Sequence, residues 1–245
     1  MSIFTLEKAE GQARAGILHT QHGDVPTPVF MPVATQGSVK ALDPADLTAI
    51  GTRIVLGNTY HLYLRPGVGV IEALGGLHRF MGWQGPVLTD SGGFQGFSLE
   101  HLREITEDGI LFTSHVDGSP HNFTPEAVIE HQERMGADVI MPLDVCVPGT
   151  ANRETVEEAV QRTGRWADRS FKAWGQGDQA LFGILQGGLL PDLRERAANL
   201  VMSMGFPGYA IGGLSVGEPK ARMYEVIAST AKLLPADSPR YLMGV

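Results

Sequence analysis

A single cysteine, Cys146, stands in a chain of 245 residues. One thiol closes no internal disulfide and builds no cysteine-rich metal site, so neither device can anchor this fold. Basic residues are also scarce: 19 Lys and Arg stand against 27 Asp and Glu, a formal net charge of −8. Broad, sequence-independent affinity for nucleic acid needs the opposite balance. A specific nucleic-acid site with local positive charge is still compatible with it. The best local candidate is Arg162, Arg165, Arg169 and Lys172, whose spacing of 3, 4 and 3 lines one helical face. Such a stripe reads first as a solvated face. No run of about 18 apolar residues exists for a membrane-spanning helix, and the first residues lack a secretory-leader pattern. A cytoplasmic protein with no membrane partner is the expectation. Repeats, low-complexity tracts and interdomain linkers are lacking too. What is present is ordinary for a folded chain: 43% hydrophobic and 19% charged residues.

Short apolar runs alternate with helical patterns along most of the length. The first thirty residues read as a hairpin, with Ala13 to Thr20 and Val25 to Phe30 flanking a turn over 21–24. The apolar runs are Val29 to Val33, Ile54 to Leu56, Val87-Leu88, Val139 to Met141, Leu181 to Leu185, Tyr209 to Ile211 and Tyr241 to Met243. Between them, Asp43-Pro44 and Thr124-Pro125 each place a capping residue before a proline, and Gly136 closes the second helix. Further helices are expected from Arg153 to about Trp174, Asp192 to Met204, and Pro219 to Leu234. Strand–helix alternation implies parallel βα units. The expected fold is α/β: a (β/α)₈ barrel, incomplete, with about seven barrel strands in one domain over 1–245. The hairpin (1–30) caps it, and a small antiparallel piece (100–122) interrupts the rhythm.

The strand endings carry the chemistry. They are Gly57-Asn58, Asp90-Ser91-Gly92-Gly93, Asp144, Gln186-Gly187-Gly188, Gly212-Gly213 and Gly244. In a parallel barrel these positions share the C-terminal face, where active sites of this architecture sit. The set is rich in carboxylate, amide and bare backbone and poor in Lys and Arg. That favours a flat, neutral heterocycle with N–H donors, such as guanine, over a phosphate or carboxylate ligand. Asp144 and Gln186 can pair with the edge of such a ring, and the Gly213 N–H can meet a carbonyl oxygen. Asn58 and Gln186 taken singly read equally well as satisfied buried amides. An acid following the apolar run 139–141 needs a partner or a function.

Several stretches match a known family in order and spacing: Leu56-Gly57-Asn58-Thr59-Tyr60-His61-Leu62, Asp90-Ser91-Gly92-Gly93-Phe94-Gln95, Gly183-Ile184-Leu185-Gln186-Gly187-Gly188, Gly208-Tyr209-Ala210-Ile211-Gly212-Gly213-Leu214 and Tyr241-Leu242-Met243-Gly244-Val245. They closely resemble the bacterial tRNA-guanine transglycosylase, also called queuine tRNA-ribosyltransferase, from the N-terminal hairpin to the last residue. The resemblance implies a (β/α)₈ barrel. It also implies a pentosyl transfer that exchanges guanine at the tRNA wobble position for a 7-deazaguanine, in queuosine biosynthesis. By that resemblance Asp90 is the general acid/base, and Asp144, Gln186 and Gly213 read the base edge. Ser91, Gly92, Gly93 and Phe94 form part of the pocket floor, where Phe94 stacks on the purine and Met243 makes the opposite wall. Cys146 and Val216 line the 7-substituent, and their identity implies 7-aminomethyl-7-deazaguanine over queuine. Gly244 and Val245 open the RNA-binding segment, with tRNA as partner and a homodimer as the family's assembly.

Two departures stand out. The family's nucleophilic aspartate, its eighth strand and a zinc subdomain of three Cys and one His lie beyond residue 245, so the zinc ligands are not in this chain. We therefore expect a C-terminally incomplete chain, inactive alone. Val145 stands where the family usually has Glu, beside the base, which bears on the 7-substituent preference. Retained configuration at a glycosidic carbon needs two displacements and two carboxylates. The residues themselves leave Asp90 as either nucleophile or acid/base; the resemblance assigns it the proton. A non-catalytic paralogue that binds tRNA or a partner, and a barrel that cradles phosphate at Gly187-Gly188 and Gly212-Gly213, are the competing readings.

Overall fold

The N-terminal residues form three antiparallel strands where the sequence suggests two. In the computed structural model, which describes residues 3–93 and 103–244, β1 (Phe4–Glu10), β2 (Ala13–Thr20) and β3 (Gly23–Thr27) pair in that order. β1 escapes a pattern search because a register shift between Leu6 and Lys8 breaks its alternation. The turn is also tighter than 21–24, since Thr20 already pairs with Gly23.

The central element is a seven-stranded, all-parallel sheet. It is built from β4 (Val33–Ala34), β5 (Val55–Gly57), β6 (Val87–Thr89), β10 (Val139–Ile140), β11 (Ala180–Leu185), β12 (Gly208–Ile211) and β13 (Arg240–Leu242), neighbours in space following chain order. An antiparallel sheet of β7 (Arg103–Ile105), β8 (Ile110–Thr113) and β9 (Pro120–Phe123) interrupts it where expected. The helices are α1 (Pro44–Ala49), α2 (Thr59–Leu64), α3 (Val68–Ala73), α4 (Leu77–Met81), α5 (Pro125–Met135), α6 (Arg153–Trp174), α7 (Pro191–Met202) and α8 (Lys220–Ala231). Asp43 caps α1 in a reciprocal capping box with Asp46, and Thr124 caps α5, which ends on left-handed Gly136. The short helices α2 to α4 carry too few turns to show a period, and were not foreseen.

Strand register sorts the core into two layers. Leu56, Leu88 and Val139 sit opposite one another and point into the barrel, with Phe182, Ile184 and Ala210. Val55 and Val87, one residue earlier, point outward to the helices, as do Ile140 and Leu181. Phe4, Leu18 and Val25 of the N-terminal sheet join the inner layer and so plug the barrel. β4 and β13 are the outer strands of the sheet, yet Val33, Tyr241 and Leu242 line one cleft of about 840 Å³. The sheet is therefore curled, an incomplete barrel of seven strands.

Two polar devices tie the layers together. On the N-terminal face, the buried Asp138 carboxylate accepts from the backbone N–H of His22 and Val87 (3.1 and 2.9 Å) and pairs with the rings of His22 and His78 (2.9 and 3.1 Å). These bonds hold the β2–β3 turn against the barrel floor, and they pull the Asp138 pKa down although burial pushes it up. At the open side, the Arg14 guanidinium donates to the carbonyls of Ala236 and of Ser238 (3.0 Å), strapping β2 to the segment entering β13.

The cationic stripe on α6 is fully engaged with acids. Arg162 pairs with Glu158 and Glu107, Arg165 with Glu107, Arg169 with Glu126, and Lys172 with Asp168. Arg169 and the Trp166 indole also donate to the Glu107 carbonyl. The stripe fastens the β7–β8 turn to the helix.

Candidate active site

Asp90 follows three buried strand residues, Val87 to Thr89, and is itself only 9% exposed. Its carboxylate accepts from the Thr59 N–H at 2.8 Å and from the Asn58 amide, both at the end of the neighbouring strand. The Thr59 hydroxyl returns a bond to the Asp90 carbonyl. Asn58 occupies the N-cap of α2 but spends its side chain on Asp90 rather than on the helix. A carboxylate held by two donors from one side keeps a fixed orientation.

Asp144 lies four residues past β10, in a wholly buried stretch without regular secondary structure. Its Oδ1 accepts from the Ser91 hydroxyl at 2.9 Å and its Oδ2 from the Gln186 amide at 2.7 Å. Burial, together with the negative charge of Asp90, raises its pKa to about 6 against these two bonds. The charge of Asp90 thus acts on Asp144, and Ser91, next to Asp90 in the chain, bonds the Asp144 carboxylate. Gly93 must be glycine here: a Cβ would lie 2.7 Å from both the Asp144 carbonyl and its Oδ1. The stretch is pinned from outside by Gln132 of α5, which pairs with both backbone groups of Met141 and accepts from Thr89 at 3.0 Å.

Gln186 directly follows β11, and Gly212-Gly213 directly follows the adjoining β12. Gly213 has a φ of +64°, and a Cβ would sit 2.2 Å from the Gln186 Oε1, so this position needs glycine twice over. Beneath both loops lies Arg194, 1% exposed, donating to the carbonyls of Leu185, Gly188, Gly212 and Gly213. Cys146 is buried and its thiol is pushed up to about 12, by burial first and the Asp144 charge second. Val216 is half-buried, and its N–H and that of Ser215 both donate to Glu218. Met243 is half-buried against Gly212, whereas Gly244 is exposed. Burial raises the pKa of Tyr241, on β13, and the charge of Asp90 adds to the rise.

Asp90, Ser91, Asp144 and Gln186 are therefore joined by direct bonds or one bridging residue, at the C-terminal ends of their strands. Gly93 and Gly213 are packed into the same cluster. Phe94 and Val245 lie outside the described residues. Composition alone missed Arg194, Gln132, Glu218 and Tyr241. Two left a signal: Arg194 stands in the apolar stripe with Ala197, Ala198 and Val201, and Gln132 in that of Val128, Ile129 and Met135. A polar residue on such a stripe must be paid for by internal partners.

A family profile described as "Queuine tRNA-ribosyltransferase" matches residues 9–245. The chain belongs to the queuine tRNA-ribosyltransferase family. Relatives of that name include one from Solidesulfovibrio magneticus, 58% identical over 99% of this chain and 65% of its own length. Another, from Desulforamulus reducens, is 56% identical over 98% and 65%. A third, from Herpetosiphon aurantiacus, is 54% identical over 99% and 62%. The chain thus spans just under two thirds of these queuine tRNA-ribosyltransferases. No helix among the described residues is long and apolar enough to cross a membrane.

The residues present do not fit the three-cysteine, one-histidine zinc set that the family resemblance implies. Cys146 is the single cysteine, and it is buried. Among the described residues, one His/Asp group converges, His22, His78 and Asp138, and its facing atoms are hydrogen-bonded to each other on the barrel floor.

Proposed function

We propose that this chain carries the base-recognition and proton-transfer half of a tRNA-guanine transglycosylase, a cytoplasmic pentosyltransferase. The Asp144–Ser91–Gln186 cluster beside Asp90 is the observation behind the reading. Guanine presents N–H donors on its pairing edge and a carbonyl oxygen next to them. The Asp144 carboxylate accepts from the donors, exchanging its present bonds for those of the ligand, while the Gln186 amide and the Gly213 N–H donate to the oxygen. Phe94 and Met243 would close the two faces of the ring, and Cys146 and Val216 the space around its 7-position, with 7-aminomethyl-7-deazaguanine as the incoming base.

In the exchange, a carboxylate attacks the ribose C1′ and the C1′–N9 bond breaks, its electron pair leaving with guanine. Asp90 delivers a proton to the departing purine and takes one back from the N9–H of the incoming base. That base then displaces the carboxylate, so configuration is retained and no net proton is consumed. The resemblance places the attacking carboxylate beyond Val245, together with the zinc subdomain and the main tRNA contacts, and gives the intact family a homodimer. Residues 1–245 alone should accordingly bind base without exchanging it.

Calorimetric titration of the chain with guanine tests the reading. Binding that is weakened by Asp144→Ala and insensitive to inorganic phosphate supports it. Competition by phosphate, or no guanine binding at millimolar concentration, sinks it. A guanine-exchange assay on tRNA with the same polypeptide checks the second half, and clear turnover would show that a carboxylate within 1–245 attacks C1′.

A further inference from the structure

We infer that Arg194 is a positioning residue for base recognition: its buried guanidinium holds the Gly212–Gly213 peptide so that the Gly213 N–H is a fixed donor for the ring oxygen of a 6-oxopurine. The inference rests on the base-binding reading above and deepens it.

Three observations carry it. First, the guanidinium is spent on backbone: Nε donates to Gly188 (2.9 Å), Nη1 to Leu185 (3.1 Å) and Gly212 (2.7 Å), and Nη2 to Gly213 (3.2 Å). No carboxylate hydrogen-bonds to the guanidinium; four carbonyl dipoles do, and the Glu218 charge acts on it without a direct bond. Such a cation is costly to bury and repays the cost only where it organises its surroundings. Second, a trans peptide is planar, so its C=O and N–H point in opposite directions. With the Gly212 oxygen drawn 2.7 Å onto Nη1 on the helix side, the Gly213 N–H faces away from Arg194. A Cβ on Gly213 would meet the Gln186 Oε1 at 2.2 Å and one on Gly212 the Gln186 Nε2 at 3.1 Å, so the Gln186 amide lies along this peptide. Third, the clamp spans both strand ends. Leu185 and Gly188 flank Gln186, and Gly187 packs so closely that a Cβ would lie 2.8 Å from the Arg194 backbone N. One planar fork thus sets the spacing between two donors to the same oxygen, which a point charge such as Lys cannot do.

The burial of the cation also draws its pKa down to about 10, so it stays charged across the physiological range. Its positive charge under the loop strengthens the dipole of the aimed N–H.

The test compares guanine with 2-aminopurine, which lacks the 6-oxygen, on the native chain and on Arg194→Lys and Arg194→Gln. The native chain should prefer guanine, and both variants should lose about tenfold of that preference while keeping most of their 2-aminopurine affinity. A merely structural role would weaken both ligands equally and leave the ratio unchanged, and that result overturns the inference. Absence of guanine binding by the native chain overturns the base-binding reading itself. Should a variant fold poorly, amide exchange at Gly213 in whichever of the two is folded decides: exchange as slow as in the native chain refutes the clamp.

Discussion

Replacing Asp144 by Asn should make this protein more stable and less able to hold a base. Burial lifts the carboxyl from its ordinary 3.8 to about 6 in spite of donors from Ser91 and Gln186. One pKa unit corresponds to about 1.36 kcal/mol, so at neutral pH keeping Asp144 ionised costs the fold roughly 3 kcal/mol. The folded chain binds this proton more tightly than the unfolded chain does. The contribution of Asp144 to stability is therefore full below about pH 4 and is lost as pH rises through about 6. Asparagine has the same shape and no charge. Ser91 can still donate to its oxygen, and a turned Gln186 amide can accept from its nitrogen. Urea unfolding of native and Asp144→Asn protein across pH 4 to 7.5 isolates the effect as a difference curve. It should start near zero and grow to about 1–3 kcal/mol in favour of the variant, while guanine affinity at pH 7.5 falls by about a hundredfold. In the native chain guanine binding should itself strengthen as pH passes 6, opposite in sign to the stability trend. A flat difference curve, or a variant less stable at every pH, would refute the argument that burial taxes this carboxylate.

Three further outcomes can be checked. Asp138→Ala strands the backbone N–H groups of His22 and Val87 and should cost about 3–4 kcal/mol in a urea melt, with Asp138→Asn near half of that; equal losses would mean that charge plays no part. Gly93→Ala drives a methyl against the Asp144 carbonyl and carboxylate, so guanine binding should disappear by calorimetry even in preparations that keep a native circular-dichroism spectrum. Arg165→Ala removes an exposed ion pair with Glu107 and should shift stability by at most about 1 kcal/mol without changing the affinity for tRNA that the proposed function expects. A large drop in that affinity would reassign the α6 stripe to RNA.

The barrel was legible because its strands are apolar runs and because α1 and α5 begin at Asp43-Pro44 and Thr124-Pro125, signals that act within a few residues. β1 was hidden because its bulge and its exposed Glu7, Lys8 and Glu10 erase the alternation that a strand search relies on. The clustering of Asp90, Ser91, Asp144 and Gln186 could be argued from strand endings alone, since every parallel strand delivers its last residue to one face. What could not be read was the second tier. Arg194 and Gln132 make their bonds to backbone carbonyls and amides far along the chain, and a backbone acceptor leaves no trace in residue identity. Both nevertheless sit on apolar helix faces, and that misfit was the available clue.

The Arg14 strap has a bearing on biosynthesis. Its acceptors, the carbonyls of Ala236 and Ser238, lie 222 and 224 residues downstream. At about 5–20 residues per second, a ribosome needs roughly 10–40 s to make that intervening length. The first three strands therefore emerge long before their anchor exists, with Phe4 and Val25 lacking the barrel interior that later covers them. A nascent chain of this design holds β1 to β3 uncovered over that interval, which is the window in which a holding factor at the exit tunnel can act on them.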